Sequence, residues 1–325
     1  MADAEPDGTI PRPRLVGPLV DEAVVVLAAP AGHGTSTLAG QLARARTGPA
    51  VLVRFTDAHA FGGASARVLE ALTEAFPVLG SPRPVADTTG PAQLAYALDE
   101  VAGPATLVLE DLHHLTTADA EALLTAVAGH AADGVQVVAT TQADLVPGLL
   151  RLTASRGGRV VDTADLLFDT DECVALAALL GAELGGEELR ERSGGWPLAA
   201  AALARVGEQI TPALAAEVLT ALGEAARTEL SAVALVSSVP VEVVRDAGTG
   251  DELLRFARRH PAVVDLSEGR FGVRALLQQS GVLVPPGGDL VAAAVDLADR
   301  LERAGEREAS LLVLSRLEDR GGPGA

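Results

Sequence analysis

The stretch from Ala23 to Leu38, A-V-V-V-L-A-A-P-A-G-H-G-T-S-T-L, limits the possible fold more than any other part of the chain. Val24 to Ala28 is apolar without alternation, so a strand formed there is buried on both faces. Gly32 and Gly34 follow as flexible turn points, and Ser36 opens a segment to Arg46 with helical periodicity. A buried strand, a glycine turn and a helix in succession are the start of a parallel sheet covered by helices.

The same alternation continues. Strand-like runs at Ala50–Phe55, Ala105–Leu109 and Val135–Thr140 are separated by helical segments near Ser65–Ala75, Gln93–Val101 and Ala118–Ala131. Residues 1–160 are therefore expected to form an α/β domain, with residues 1–22 as a polar, proline-bearing leader. Past Val161 the strands thin out, and Thr170 or Asp171 is the expected N-cap of a helix over Glu172–Leu180. The expected organisation is an α/β domain (1–160), a helical domain (161–208), a domain of short helices with a β-wing (209–286) and a helical hairpin (287–325). Within the third part, R-F-G-V-R after the turn S-E-G reads as a β-wing. In the fourth, Gly305 marks the bend between Val291–Arg303 and Glu306–Leu317. One hairpin leaves a face uncovered, as at the start of a helical repeat array.

Composition narrows the function classes. The chain carries 25 basic and 44 acidic residues, a net charge of −19, and every basic residue is arginine. Such a field repels nucleic acid and acidic membranes, so direct nucleic-acid binding and membrane association are not expected. The longest apolar run, Ala23–Ala31, is far short of a span, and Met1–Arg14 lacks a signal-peptide pattern, which makes the expected location cytoplasmic. Cys173, the single cysteine, falls in a helical pattern and reads as a buried structural thiol. The runs E-E-L-R-E-R and D-R-L-E-R read as solvated helix faces.

The glycine turn is the candidate site. A phosphate-binding loop follows G-x-x-x-x-G-K-[ST], with helix N-terminal amides facing the anion. Here Ala29 stands at the first glycine, Gly34 at the second, Thr35 at the lysine and Ser36 at the hydroxyl that holds Mg²⁺. In A-T-L-V-L-E-D-L-H-H-L, a buried strand ends in Glu110 and Asp111, candidates for the metal-orienting and water-activating acids on the strand beside the loop. His33 lies in the loop, where it either donates to a phosphate when protonated or packs at the surface. His113 and His114 follow the acid pair without a third metal ligand at readable spacing, which favours packing or capping. No nucleophile elbow of the G-x-S-x-G type is present.

With T-I-P-R-P-R-L-V, L-V-L-E-D-L-H-H-L, V-V-A-T-T-Q-A-D-L, F-D-T-D-E-C-V-A-L-A-A-L-L and S-G-G-W-P-L-A-A-A-A-L beside the loop, nearly the whole chain resembles the large LuxR-type, MalT-like transcriptional regulators, which are STAND-class ATPases. The resemblance implies a P-loop ATPase domain, a helical domain and a winged-helix domain, followed in the family by inducer-sensing helical repeats and a DNA-binding helix-turn-helix. It implies that Arg14 to Val16 line the adenine side and that Gly32, His33, Gly34, Thr35, Ser36 and Thr37 surround the phosphates. Ser36 and Glu110 would hold Mg²⁺ only with nucleotide, Glu110 and Asp111 would be catalytic if the site is active, and Gly195 to Pro197 would close over the nucleotide.

The departures matter as much. Thr35 replaces the family's loop lysine, Gln142 stands where an arginine usually follows the fourth core strand, and Arg274 stands at the family's winged-helix histidine. Coding bias does not account for Thr35, since arginine would have kept the charge. Losing a charge-assisted hydrogen bond of about 1.5–3 kcal/mol weakens triphosphate binding on the order of 10- to 100-fold. The rate penalty is larger, because single positioned cations contribute roughly 10³–10⁵ in phosphoryl transfer. ATP or ADP with Mg²⁺ is thus expected to bind weakly or not at all. The expected function is a regulatory module with a degenerate nucleotide site, acting on a protein partner or on its own helical-repeat or effector domain, with oligomerisation left open. The alternative is a slow ATPase switch in which Arg274 or a partner's arginine replaces the lost lysine.

Overall fold

The computed structural model describes residues 9–57, 63–79, 90–101, 103–142, 147–236, 238–280 and 289–321. The chain divides into two compact units, Met1–Leu166 and Leu167–Ala325.

The first unit contains α1 (Pro13–Leu19), β1 (Val24–Ala28), α2 (Thr35–Ala45), β2 (Ala50–Arg54), α3 (Ala64–Ala75), α4 (Gly90–Asp99), β3 (Ala105–Glu110), α5 (Thr117–His130), β4 (Val135–Thr141), α6 (Pro147–Arg156) and β5 (Gly158–Val161). Among the described residues the strands form one parallel sheet in the order β2-β3-β4-β1-β5. Side-chain alternation sorts the sheet into two faces. Val25 and Leu27 of β1, Val108 of β3 and Val138 of β4 pack with Leu38, Ala39 and Leu42 of α2. Val24, Val26, Leu107, Leu109, Val137 and Ala139 pack on the other side with Val68, Leu94, Leu123 and Leu152 from α3 to α6. Burial on both faces is why β1, β3 and β4 read as continuous apolar runs, while edge strand β2 alternates between exposed and buried positions. Parallel strands, covering helices and a glycine loop between a central strand and its helix make this an α/β P-loop NTPase fold.

Two expectations are corrected here, and one strand is added. The described part of the leader is folded: Ile10, Leu15 and Leu19 are buried, Leu15 and Leu19 join the α2-side core, and the Gln136 amide donates to the carbonyls of Leu19, Val20 and Glu22 at the end of α1. Residues 1–8 lie outside the described residues. The acid-bearing strand β3 is not beside the loop strand β1, because β4 is inserted between them. The short edge strand β5, with mixed burial, was not expected from the sequence.

The second unit contains α7 (Thr170–Leu180), α8 (Gly186–Ser193), α9 (Pro197–Val206), α10 (Thr211–Leu219), α11 (Glu224–Val233), β6 (Val239–Pro240), α12 (Val241–Arg245), α13 (Gly250–Arg259), β7 (Val264–Ser267), β8 (Arg270–Val273), α14 (Ala275–Gln278), α15 (Leu290–Arg303) and α16 (Arg307–Gly321). Asp169, one residue earlier than expected, caps α7 in a capping box: its side chain accepts from the Glu172 amide while the Glu172 side chain accepts from the Asp169 amide. β7 and β8 pair antiparallel through Glu268 and Gly269, both at positive φ, and β6 joins on the far side of β8. A single core runs from Trp196 to Val313, so residues expected to lie in three separate domains share one apolar interior. The boundary expected between 286 and 287 lies outside the described residues.

In the D-R-L-E-R run Asp299, Glu302 and Arg303 are exposed as expected, but Arg300 is not. Arg300 is 4% exposed, and its guanidinium donates to Asp296, to the Val243 carbonyl and to Glu229. That network ties α15 to α12 and α11. Among the described residues no helix is long and apolar enough to cross a membrane.

Candidate functional site

The loop between β1 and α2 sits at the carboxyl end of the parallel sheet. Gly32 (φ 81°) and Gly34 (φ 77°) both adopt the left-handed conformation, which a side chain there would disfavour. Gly34 is the N-cap of α2, which starts at Thr35, one residue before the expected Ser36. The first amides of an α-helix have no intrahelical acceptor, so this end of α2 carries the partial positive charge that suits an anion. Thr35 and Thr37 are half-buried and Ser36 is exposed.

His33 is neither a surface residue nor a cation. It is 2% exposed, and Nδ1–H donates to the carbonyls of Pro30 (3.1 Å) and Ala31 (3.3 Å). Burial lowers its pKa, with the two backbone hydrogen bonds opposing that shift. The ring thus braces the loop from inside as a neutral imidazole at pH 7. From Ala29 to Thr37 the loop meets a ligand with backbone amides and hydroxyls.

Three strand ends converge beside it. The Ala29 amide donates to the Thr141 carbonyl (3.1 Å), and the Asp111 amide donates to Thr140 Oγ1 (2.9 Å). Glu110, two residues beyond Val108, turns to the same face as α2 and is 1% exposed. Asp111 leaves the strand at φ 63°. Gln142, just past β4, is exposed.

Arg54 was missed by the sequence reading. In the parallel register it lies opposite Glu110, and its Nε and second terminal nitrogen donate to Glu110 Oε2 at 2.8 and 2.7 Å. Asp111 Oδ2 lies 3.9 Å from the same Nε. The hydrogen bond and charge of Glu110 raise the Arg54 pKa. The available signal was R-F at the end of a strand; that it meets E-D depends on which strand is its neighbour. Glu110, one of the two expected Mg²⁺ ligands, does not fit a divalent ion as it stands, because its buried Oε2 already holds a guanidinium.

His113 and His114 form a short turn with Leu112 after the acids, with ring centroids 4.3 Å apart. Burial lowers the His113 pKa, and His114 Nδ1 lies 2.6 Å from Asp57. Arg14, expected on the adenine side, is an exposed residue of α1 that donates to the Asp165 carbonyl (3.2 Å). Its neighbour Arg12 is buried and donates to the Leu166 carbonyl (3.0 Å).

In the second unit, S-G-G-W-P is a packing joint. A Cβ on Gly194 would lie 1.9 Å from the Ala262 carbonyl oxygen, and one on Gly195 would lie 2.6 Å from that of Phe168. Trp196 is buried as the N-cap of α9, and Pro197 takes the first helical turn, where a missing N–H costs nothing. Arg274, the candidate compensating cation, donates to Asp265 Oδ1 at 2.9 Å, so its charge is already offset.

No family model and no curated protein matches the chain. Among solved structures it is similar to the Thermotoga maritima RuvB Holliday junction branch migration motor, at 18% identity over 81% of this chain and 88% of that one, with a TM-score of 0.40. It is also similar to the Aeropyrum pernix ORC1 protein in complex with DNA, at 15% identity over 93% and 97% with a TM-score of 0.41. The Aeropyrum pernix ORC2 protein, in ADPNP-ADP complexes, matches at 12% identity over 87% and 89% with a TM-score of 0.44. At these identities and scores the likenesses carry no argument about ligands or activity.

Proposed function

We propose that the chain is a STAND-type regulatory module related to the MalT-like regulators, with a degenerate nucleotide site on a P-loop fold. Its output would pass through contacts with a protein partner or an effector domain, and ATP or ADP would act, if bound, as a weak signal instead of a substrate for turnover. In this reading the second unit supplies the lid, the winged-helix-like element around β7 and β8, and the first helical hairpin of α15 and α16.

One observation carries the reading. The loop retains the anion-binding backbone, with left-handed Gly32 and Gly34 ahead of α2, yet Thr35 supplies no charge and His33 is buried as a neutral ring. Backbone amides recognise a phosphate; phosphoryl transfer needs positioned cations.

The test is a calorimetric titration of ATP and ADP into the wild type and Thr35→Lys. The restored lysine should tighten binding on the order of 10- to 100-fold, the scale of one charge-assisted hydrogen bond. Equal affinities in the two proteins, or steady wild-type hydrolysis that disappears in Glu110→Gln, would overturn the proposal. The slow-switch alternative requires Arg274 to leave Asp265. An Arg274→Ala variant with unchanged nucleotide affinity and turnover removes that alternative.

A further inference from the structure

The acid pair at the end of β3 has a cation already, supplied by the neighbouring strand. Arg54 and Glu110 are register partners at the carboxyl ends of β2 and β3. Because β2 is an edge strand, its Ala50, Leu52 and Arg54 positions are exposed, and the Arg54 side chain is 59% exposed while that of Glu110 is 2% exposed. The guanidinium therefore approaches from the solvent side and places two N–H donors on one buried oxygen, Oε2, at 2.7 and 2.8 Å. A buried carboxylate without such a partner carries a large desolvation cost. A guanidinium remains charged at any pH where the protein is folded, and it delivers its charge through a fixed planar fork. A divalent ion brought to Oε2 would have to displace that fork and then sit beside a like charge.

We propose that Arg54 is the resident cation of this site, taking the position a divalent metal would otherwise occupy, so that any phosphate held by the Gly32–Thr37 loop is held without Mg²⁺. The part concerning phosphate rests on the nucleotide reading above; the part concerning the metal does not. Arg54 is a positioning residue: it holds Glu110 and sets the charge of the strand end.

Two measurements separate these parts. Mn²⁺ alone, followed by electron paramagnetic resonance, is titrated into the wild type, Arg54→Ala, Arg54→Lys and the double variant Arg54→Ala/Glu110→Gln, each first shown to melt cooperatively. Arg54→Ala should bind Mn²⁺ about 10-fold or more tighter than the wild type, the scale of one charge-assisted hydrogen bond. The double variant should lose that gain, and Arg54→Lys should stay close to the wild type. Equal Mn²⁺ affinity in the wild type and Arg54→Ala, or a gain in Arg54→Lys as large as in Arg54→Ala, would overturn the proposal. ADP is then titrated into the wild type in chelator and in Mg²⁺. Affinities equal within about 2-fold, well under the scale of one charge-assisted contact, support metal-independent binding, and ADP binding that appears only with Mg²⁺ refutes it. Silence toward ADP in both conditions would remove the nucleotide reading, leaving the Mn²⁺ comparison to decide the role of Arg54.

Discussion

Replacing Arg300 with methionine should unfold the second unit at markedly lower urea, and the structure sets the size of the effect. Arg300 is nearly fully buried and serves three acceptors: Asp296 on its own helix (2.9 Å), the Val243 carbonyl and the buried Glu229. Methionine keeps much of the aliphatic volume but leaves Glu229 buried without a cation and the Val243 carbonyl without this donor. Breaking one side of a buried pair costs about 3–5 kcal/mol, most of it the stranded charge. Arg300→Met/Glu229→Leu should therefore recover to within about 1 kcal/mol of the wild type, because an apolar replacement of both partners is often neutral or stabilising. The pH dependence follows from Glu229. Burial raises its pKa above the ordinary 4.5, and Arg300 is the main opposing influence. A carboxyl group with a raised folded pKa contributes stability below its unfolded pKa and loses it as pH rises through the folded value. The penalty of Arg300→Met should thus be small near pH 4.5 and grow toward pH 7. Trp196, the only tryptophan, lies in the same core and reports the transition by fluorescence. A penalty below about 1 kcal/mol at pH 7, or a double variant less stable than the single one, would refute the reasoning.

Two further outcomes follow from backbone and burial. Gly194→Ala should cost about 3 kcal/mol or more in urea unfolding, since left-handed strain is joined by a Cβ 1.9 Å from the Ala262 carbonyl oxygen; Gly181→Ala, also left-handed but with open space around it, should cost about 1–2 kcal/mol, and equal costs would show that packing at the joint is irrelevant. His33 should titrate below 6.5 by NMR, its folded pKa being lowered by burial. The unfolded chain then takes up the proton first, and stability falls as pH drops from about 6.5 through the folded value; a His33 pKa at or above 6.5 would contradict the buried, neutral ring.

Local pattern made much of the first unit readable. Apolar runs with no alternation can lie only where both faces are covered, so β1, β3 and β4 were legible together with the helices between them, and Gly32 and Gly34 marked the turn. The helix at α7 was also readable, although its cap proved to be Asp169, since a capping box is satisfied by backbone geometry and several neighbouring polar residues qualify by type alone. The Glu268–Gly269 hairpin was legible for the same reason as the loop: its turn residues advertise their conformation.

What stayed hidden depends on partners distant in sequence. The insertion of β4 between β1 and β3 is a matter of strand order, which periodicity does not encode. Arg54 and Glu110 are 56 positions apart and meet only because β2 and β3 are neighbours in register. Arg300 looked like part of a solvated helix face because its i,i+4 partner Asp296 is on the same helix; its bond to Glu229, 71 positions away, shows that Arg300 itself turns into the core. His33 is a polar residue in a polar loop by sequence, and only the fold closes over it. The sequence by itself determined the central strands, the helices that follow them and that the loop has threonine in place of lysine, because these are properties of neighbouring residues. Tertiary structure alone decided which charges meet, since an ion pair is defined by distance and desolvation.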